Sequence, residues 1–148
     1  MNKGKEMTPI QGKGQEDLLI LLAETQSKFG YLTGELLIEV AKSLGLSISE
    51  VYGVATFYSF LSTKPQGRNV IRICKSLPCI LKNSQTIIES VVREIGIKPG
   101  ESTPDGKFSF QLTNCIGACD EAPAMMVNND VHVALTPNKI SQILRSCK

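Results

Sequence analysis

The sequence predicts an α+β protein: a three-helix region followed by a small sheet covered by two helices. Three observations carry that expectation. Apolar residues recur at helical spacing through residues 15–62, a turn cluster (Lys64-Pro65-Gln66-Gly67) interrupts them, and β-branched and aromatic runs of period two follow. The chain accordingly reads as a loose polar tail over 1–14, a helical region over 15–64 and a second domain over 65–148. Its 148 residues are enough to bury a real core.

The first helix is expected over Glu16 to Lys28, stopped by Gly30 as a C′ residue. The second follows Thr33, a suitable N-cap, and carries Leu36, Leu37, Val40, Ala41 and Leu44 on one face before Gly45. Glu35 complements the positive end of its dipole. The third opens with a capping box, Ser47 and Glu50, and places Val51, Val54, Ala55, Tyr58 and Leu61 on its apolar face. Beyond the turn cluster, Asn69 to Ile73 reads as a strand and Ser84 to Ile95 as a helix closed by Gly96. Phe108 to Leu112 alternates as a half-buried strand. Met125 to Val127 and Val131 to Val133 flank Asn128-Asn129-Asp130, a hairpin signal, with His132 pointing away from the sheet. Thr136-Pro137 gives an N-cap and a proline at N1 for a last helix with Ile140, Ile143 and Leu144 inward. The order β-α-β-β-β-α suits a small sheet with helices packed on it.

Composition removes several function classes. Apolar residues make up 42% and charged residues 20%, with a formal net charge of +2, so no electrostatic case exists for nucleic acid or an acidic membrane surface. Lys3, Lys5 and Lys13 are spread charges without interleaved aromatics and do not make a nucleic-acid arm. The longest strictly apolar run, Leu18 to Ala23, falls far short of the roughly 20 residues that span a bilayer, so direct membrane insertion is not expected. The lysines lead into a polar rather than apolar stretch, which is not a secretory signal. A cytoplasmic, reducing location follows as the expectation, and structural disulfides are then a poor account of the five cysteines.

Four of those cysteines form two pairs. Cys74 and Cys79 have four residues between them, Cys115 and Cys119 have three, and each pair follows a predicted strand in what reads as a loop. Four converging thiolates are what a [2Fe–2S] cluster requires, two per iron. Structural zinc remains open, although its paired cysteines prefer two intervening residues, and unligated core cysteines remain open too. No C-x-x-C is present for thioredoxin-type dithiol chemistry, and a single histidine cannot supply Rieske-type ligation. Gly117 and Ala118 let backbone N–H groups approach the sulfurs, and Ser76 and Lys75 offer a hydroxyl and a charge. Pro78 stiffens the approach to Cys79, Asp120 and Glu121 read as a solvated turn, and Cys147 reads as a free thiol in a frayed end.

The chain resembles the thioredoxin-like [2Fe–2S] ferredoxins, the family of the 24 kDa subunit of respiratory NADH dehydrogenase (complex I) and of small subunits of NAD-linked [FeFe] hydrogenases and formate dehydrogenases. The resemblance rests on Val51-Tyr52-Gly53-Val54-Ala55-Thr56-Phe57-Tyr58-Ser59-Phe60, on Pro65-Gln66-Gly67-Arg68, and on Cys74, Cys79 and Cys115-Ile116-Gly117-Ala118-Cys119-Asp120-Glu121-Ala122-Pro123. Asn129-Asp130 and Leu135-Thr136-Pro137 continue it, so that it covers residues 17–145. The chain departs from the family where Lys75-Ser76-Leu77-Pro78 stands for Gly-Thr-Ala, and where Asn83-Ser84 stands for Gly-Ala.

The resemblance implies a thioredoxin-like mixed sheet flanked by helices, and one [2Fe–2S] cluster held by Cys74, Cys79, Cys115 and Cys119. It also implies a non-catalytic electron-transfer subunit beside a flavoprotein that carries FMN and the NAD(P) site, with further iron–sulfur subunits as partners. The location is then peripheral to the inner face of a membrane complex. The chain has no G-x-G-x-x-G after a strand and no P-loop, so NADH and flavin are expected on the partner. The helices of residues 15–62 are the expected docking surface, because short amphipathic helices cannot bury their own faces. A free-standing ferredoxin or redox sensor, or a structural zinc module, is the alternative.

Overall fold

The structure, a computed structural model, describes residues 15–147; the polar tail over 1–14 lies outside them. The chain divides between Pro65 and Gln66 into two compact units.

The first unit contains three helices. A 3-10 turn over Gln15–Asp17 leads into α1 (Leu18–Phe29), which Gly30 closes by donating its N–H to Gln26 O. Helix α2 (Gly34–Leu44) begins where the Thr33 hydroxyl accepts from Leu36 N–H and ends at Gly45 in the left-handed region. Helix α3 (Ile48–Phe57) carries the full capping box, Glu50 N–H to Ser47 Oγ at 3.3 Å and Ser47 N–H to Glu50 Oε2 at 3.0 Å. Leu22, Leu37, Val40 and Val51 meet in one core with Leu32 from the α1–α2 connection.

Helix α3 stops short of the expected face. Tyr58 is extended and exposed, and Leu61 reaches the core from a turn, its N–H donating to Tyr58 O. Gln26 on α1 takes over that backbone: its Oε1 accepts from Ser62 N–H at 2.6 Å and its Nε2 donates to Phe60 O at 2.8 Å. A side-chain amide thus satisfies groups that a longer helix would have paired internally.

The second unit is a four-stranded mixed sheet, ordered β2-β1-β3-β4, from β1 (Asn69–Cys74), β2 (Phe108–Thr113), β3 (Met125–Val127) and β4 (Asp130–His132). Strands β1 and β2 are parallel and need a crossover, made by α4 (Leu77–Leu81) and α5 (Ser84–Ile95). Helix α6 (Pro137–Ser146) packs beside α5. Ile71, Ile73, Phe110 and Met125 form the sheet side of the core, and Ile87, Val91, Ile140 and Leu144 the helix side.

Two expectations about faces change. Ser109 is buried rather than outward, because its hydroxyl accepts Gly67 N–H at 2.6 Å and lies 2.6 Å from Ser102 Oγ. Gly67 itself runs so close to β2 that a Cβ there would lie 2.6 Å from the Phe108 carbonyl carbon. His132 pairs with Met125 and therefore shares its face, half-buried, while Val131 points out. The hairpin has a two-residue loop with Asn128 left-handed, so β4 starts one residue early, and in a strand a one-residue slip exchanges the faces.

Candidate metal centre

Parallel pairing puts the C-terminal ends of β1 and β2 at one edge of the sheet, where Cys74 lies opposite Thr113 and Cys115 follows two residues on. Cys74 N–H donates to Ala124 O at 3.2 Å and Lys75 N–H to Thr113 O at 2.9 Å, which fixes the exit of β1. Cys79 is not in a loop. It stands in the first turn of α4, which starts at Leu77 with Pro78 just inside it, and its N–H donates to Ser76 O at 3.0 Å. Ser76 thus serves α4 through its carbonyl, which also accepts from Ile80.

The four thiols form a continuous chain. Cys79 and Cys74 interact, Cys74 reaches Cys115, and the sulfurs of Cys115 and Cys119 are 3.2 Å apart. Cys74 and Cys79 are each 1% exposed, against Ala124 with Ile116, Ala118, Ala122 and Val133 around them, whereas Cys115 and Cys119 face solvent. Gly117, at φ +88°, turns its N–H onto Cys115 Sγ at 3.4 Å. The Ala122–Pro123 bond is cis.

Electrostatics differ along the chain. Burial pushes the Cys79 thiol up, opposed by the Ala124 N–H and reinforced by Cys74 and Cys115. The Gly117 N–H, then the Cys119 thiol, hold Cys115 below its ordinary value. Cys119 is pushed up to about 11, first by its hydrogen bond to Cys115. The shared hydrogen bond thus moves the two thiols in opposite directions, Cys115 down and Cys119 up.

The residues fit a group that takes two thiolates at each of two metal ions. Among the described residues, no three or more His, Cys, Asp or Glu are grouped as a site for a metal ion. What the sheet edge offers instead is two cysteine pairs side by side, with backbone N–H groups of Gly117 and Ala124 aimed at sulfur. Asp120 and Glu121 lie exposed beside it. Cys147 is apart from the four: half-buried rather than frayed, it packs at the edge of the main core with its thiol donating to Ile143 O at 3.3 Å. The Ala124 contribution is invisible in sequence, since any residue supplies that N–H.

Residues 5–148 match the family described as thioredoxin-like [2Fe–2S] ferredoxin. The chain belongs to that family. Among curated relatives of this thioredoxin-like [2Fe–2S] ferredoxin, an NADH-quinone oxidoreductase subunit of Escherichia coli strain K12 is 40% identical over 123 residues, spanning 83% of this chain and 74% of the relative. An NADH-quinone oxidoreductase subunit of Aquifex aeolicus is 36% identical over 132 residues, spanning 89% and 82%. Among solved structures, a chain of an air-oxidized NAD+-reducing [NiFe]-hydrogenase superposes with a TM-score of 0.76 over 88% of this chain and 22% of that one. At 24% identity, that likeness speaks to the fold alone. The thioredoxin-like α+β architecture read from the sequence is thus the one the protein has.

Proposed function

We propose that Cys74, Cys79, Cys115 and Cys119 hold one [2Fe–2S] cluster. The chain then serves as the electron-transfer subunit of a multisubunit NADH-linked oxidoreductase. The observation that carries this reading is the chain of four thiols at a single sheet edge in a protein of this family. The relatives named as NADH-quinone oxidoreductase subunits support the choice of complex.

When bound, such a cluster accepts and returns one electron at a time, so a flavin must first split the hydride pair of NADH. This chain's own part is to bind, bury and place. Cys74 and Cys79 would hold such a group from the buried side, and Cys115 and Cys119 from the exposed side. The Gly117 and Ala124 N–H groups bond to sulfur and favour the more negative, reduced state. FMN and the NAD site belong on a flavoprotein partner, with further iron–sulfur subunits beyond it. Among the described residues, no helix is long and apolar enough to cross a membrane. A place on the cytoplasmic side, peripheral to a membrane complex, completes the reading.

The helical unit is the proposed docking surface for the flavoprotein. A mostly apolar cavity of about 580 Å³ opens between α2 and α3, lined by Leu37, Ile38, Ile48 and Tyr52, and Phe57 beyond it is 79% exposed. The test is anaerobic mixing of the full chain with the flavoprotein subunit of its complex. NADH should bleach the visible absorption of this chain only when the flavoprotein is present, by one electron per chain. Bleaching by NADH without the flavoprotein, or none with it, overturns the reading.

A further inference from the structure

Cys115 and Cys119 are both exposed, and their sulfurs stand 3.2 Å apart. A disulfide closes at about 2 Å between sulfurs, so the pair has roughly 1 Å left to travel. Between β2, which ends at Thr113, and β3, which starts at Met125, the described residues form no helix or strand. No hydrogen-bonded ladder therefore holds the two cysteines in place. Gly117, at φ +88°, folds the intervening residues into the turn that brings one sulfur back to the other, and its N–H donates to Cys115 Sγ at 3.4 Å. Cys74 and Cys79 differ in each respect. Both are 1% exposed, Cys74 ends β1 with its N–H on Ala124 O, and Cys79 stands in the first turn of α4 with its N–H on Ser76 O. A dissolved oxidant thus meets the outer pair and not the inner one.

Two thiols so placed have a chemistry of their own whenever no metal holds them. With hydrogen peroxide as the oxidant, one sulfur attacks a peroxide oxygen, the O–O bond breaks, and a sulfenic acid and one water form. The second thiol attacks that sulfur, the S–S bond forms, and the hydroxyl leaves as a second water. Both thiol hydrogens end in water, and two electrons pass from the sulfurs to the peroxide. Two molecules of a small thiol reverse the step by exchange and leave as their own disulfide. In reducing compartments the disulfides that do form are mostly transient ones of this kind.

We infer that Cys115 and Cys119 form an oxidative modification site of the cluster-free chain, and that their disulfide blocks loading of the cluster. The inference rests on the cluster assignment above. With the outer pair linked, Cys74 and Cys79 are the thiols left at the sheet edge, half of the four that a [2Fe–2S] group needs. Peroxide thereby keeps the chain unloaded until thiols reopen the pair.

The test treats the full, metal-free chain with one equivalent of hydrogen peroxide under native conditions. The chain is then unfolded in urea, its remaining thiols are alkylated with iodoacetamide, and its peptides are mapped by mass spectrometry. One linkage, Cys115 to Cys119, should dominate, with Cys74, Cys79 and Cys147 recovered alkylated. Peroxide added in urea, where the fold no longer selects the pair, should also link Cys74 to Cys79. Anaerobic incubation of the native chain with ferrous iron and sulfide follows, read by bound iron and visible absorption. The oxidised chain should at first load about tenfold or more slowly than the reduced chain, and dithiothreitol given beforehand should restore the rate. No linkage, the same mixture with and without urea, or unimpaired loading of the linked chain overturns the inference and leaves the ligand assignment standing. A reduced chain that takes up no iron and sulfide sinks the assignment itself, and the loading half of the inference with it.

Discussion

Cys115 and Cys119 are 3.2 Å apart and exposed, yet they are not equivalent. The Gly117 N–H and then the Cys119 thiol hold Cys115 down, while Cys119 keeps its proton up to about 11. Cys74 and Cys79 are shielded by burial. In the metal-free chain near pH 8, iodoacetamide should therefore modify Cys115 first, and peptide mass spectrometry should find Cys74 and Cys79 last. Gly117→Ala should be strained because φ is +88° there, with nothing within 4 Å to blame on crowding. The strain is about 1–2 kcal/mol, and cluster retention measured by the decay of visible absorption should shorten several-fold. Cys147 bonds only to its own helix in the described contacts, so Cys147→Ser should leave iron content unchanged.

Among the elements, the capped helices follow most directly from the residues. Ser47 and Glu50 announce α3, and the box forms as read. Ser47's hydroxyl, and then its backbone N–H, hold the Glu50 carboxyl below its ordinary value. A depressed folded value gives stability that is complete above the unfolded value of about 4.3 and is lost as pH falls through the lower folded one. Ser47→Ala should cost about 1 kcal/mol at neutral pH in urea titration and should remove that part of the acid sensitivity. Gly67→Ala forces a Cβ against the Phe108 backbone at 2.6 Å and should destabilise the sheet unit by about 1–3 kcal/mol.

Other elements are not legible in the residues, and for identifiable reasons. Helix α4 has five residues and a proline, too few for any period to register, so Cys79 reads as a loop residue. The stop of α3 depends on Gln26, 34 residues away from Phe60, and local pattern carries no such contact. His132 reads onto the wrong face because the hairpin loop holds two residues where three turn-forming residues stand together. Ser109 reads as solvent-facing by type, and only its tertiary partners Gly67 and Ser102 explain its burial. Within the site, the cysteine pairs are visible from spacing, whereas the donors from the backbone need the register of the sheet.

At the scale of the whole molecule, the two units divide the work: the sheet unit gathers the thiols and the helical unit offers apolar surface. Phe57→Asp, on a residue 79% exposed, should leave the cluster spectrum of the chain intact while weakening co-elution with the flavoprotein subunit in gel filtration by about tenfold or more. The central claim is that two cysteine pairs at one sheet edge hold two bridged irons. Its most direct measurement is the metal and acid-labile sulfide content of the anaerobically purified chain, read with the electron paramagnetic resonance spectrum after reduction. The account predicts two irons and two sulfides per chain and a single-electron signal, all lost in Cys74→Ser and Cys115→Ser. One zinc per chain without sulfide, or full iron content in those variants, would contradict it.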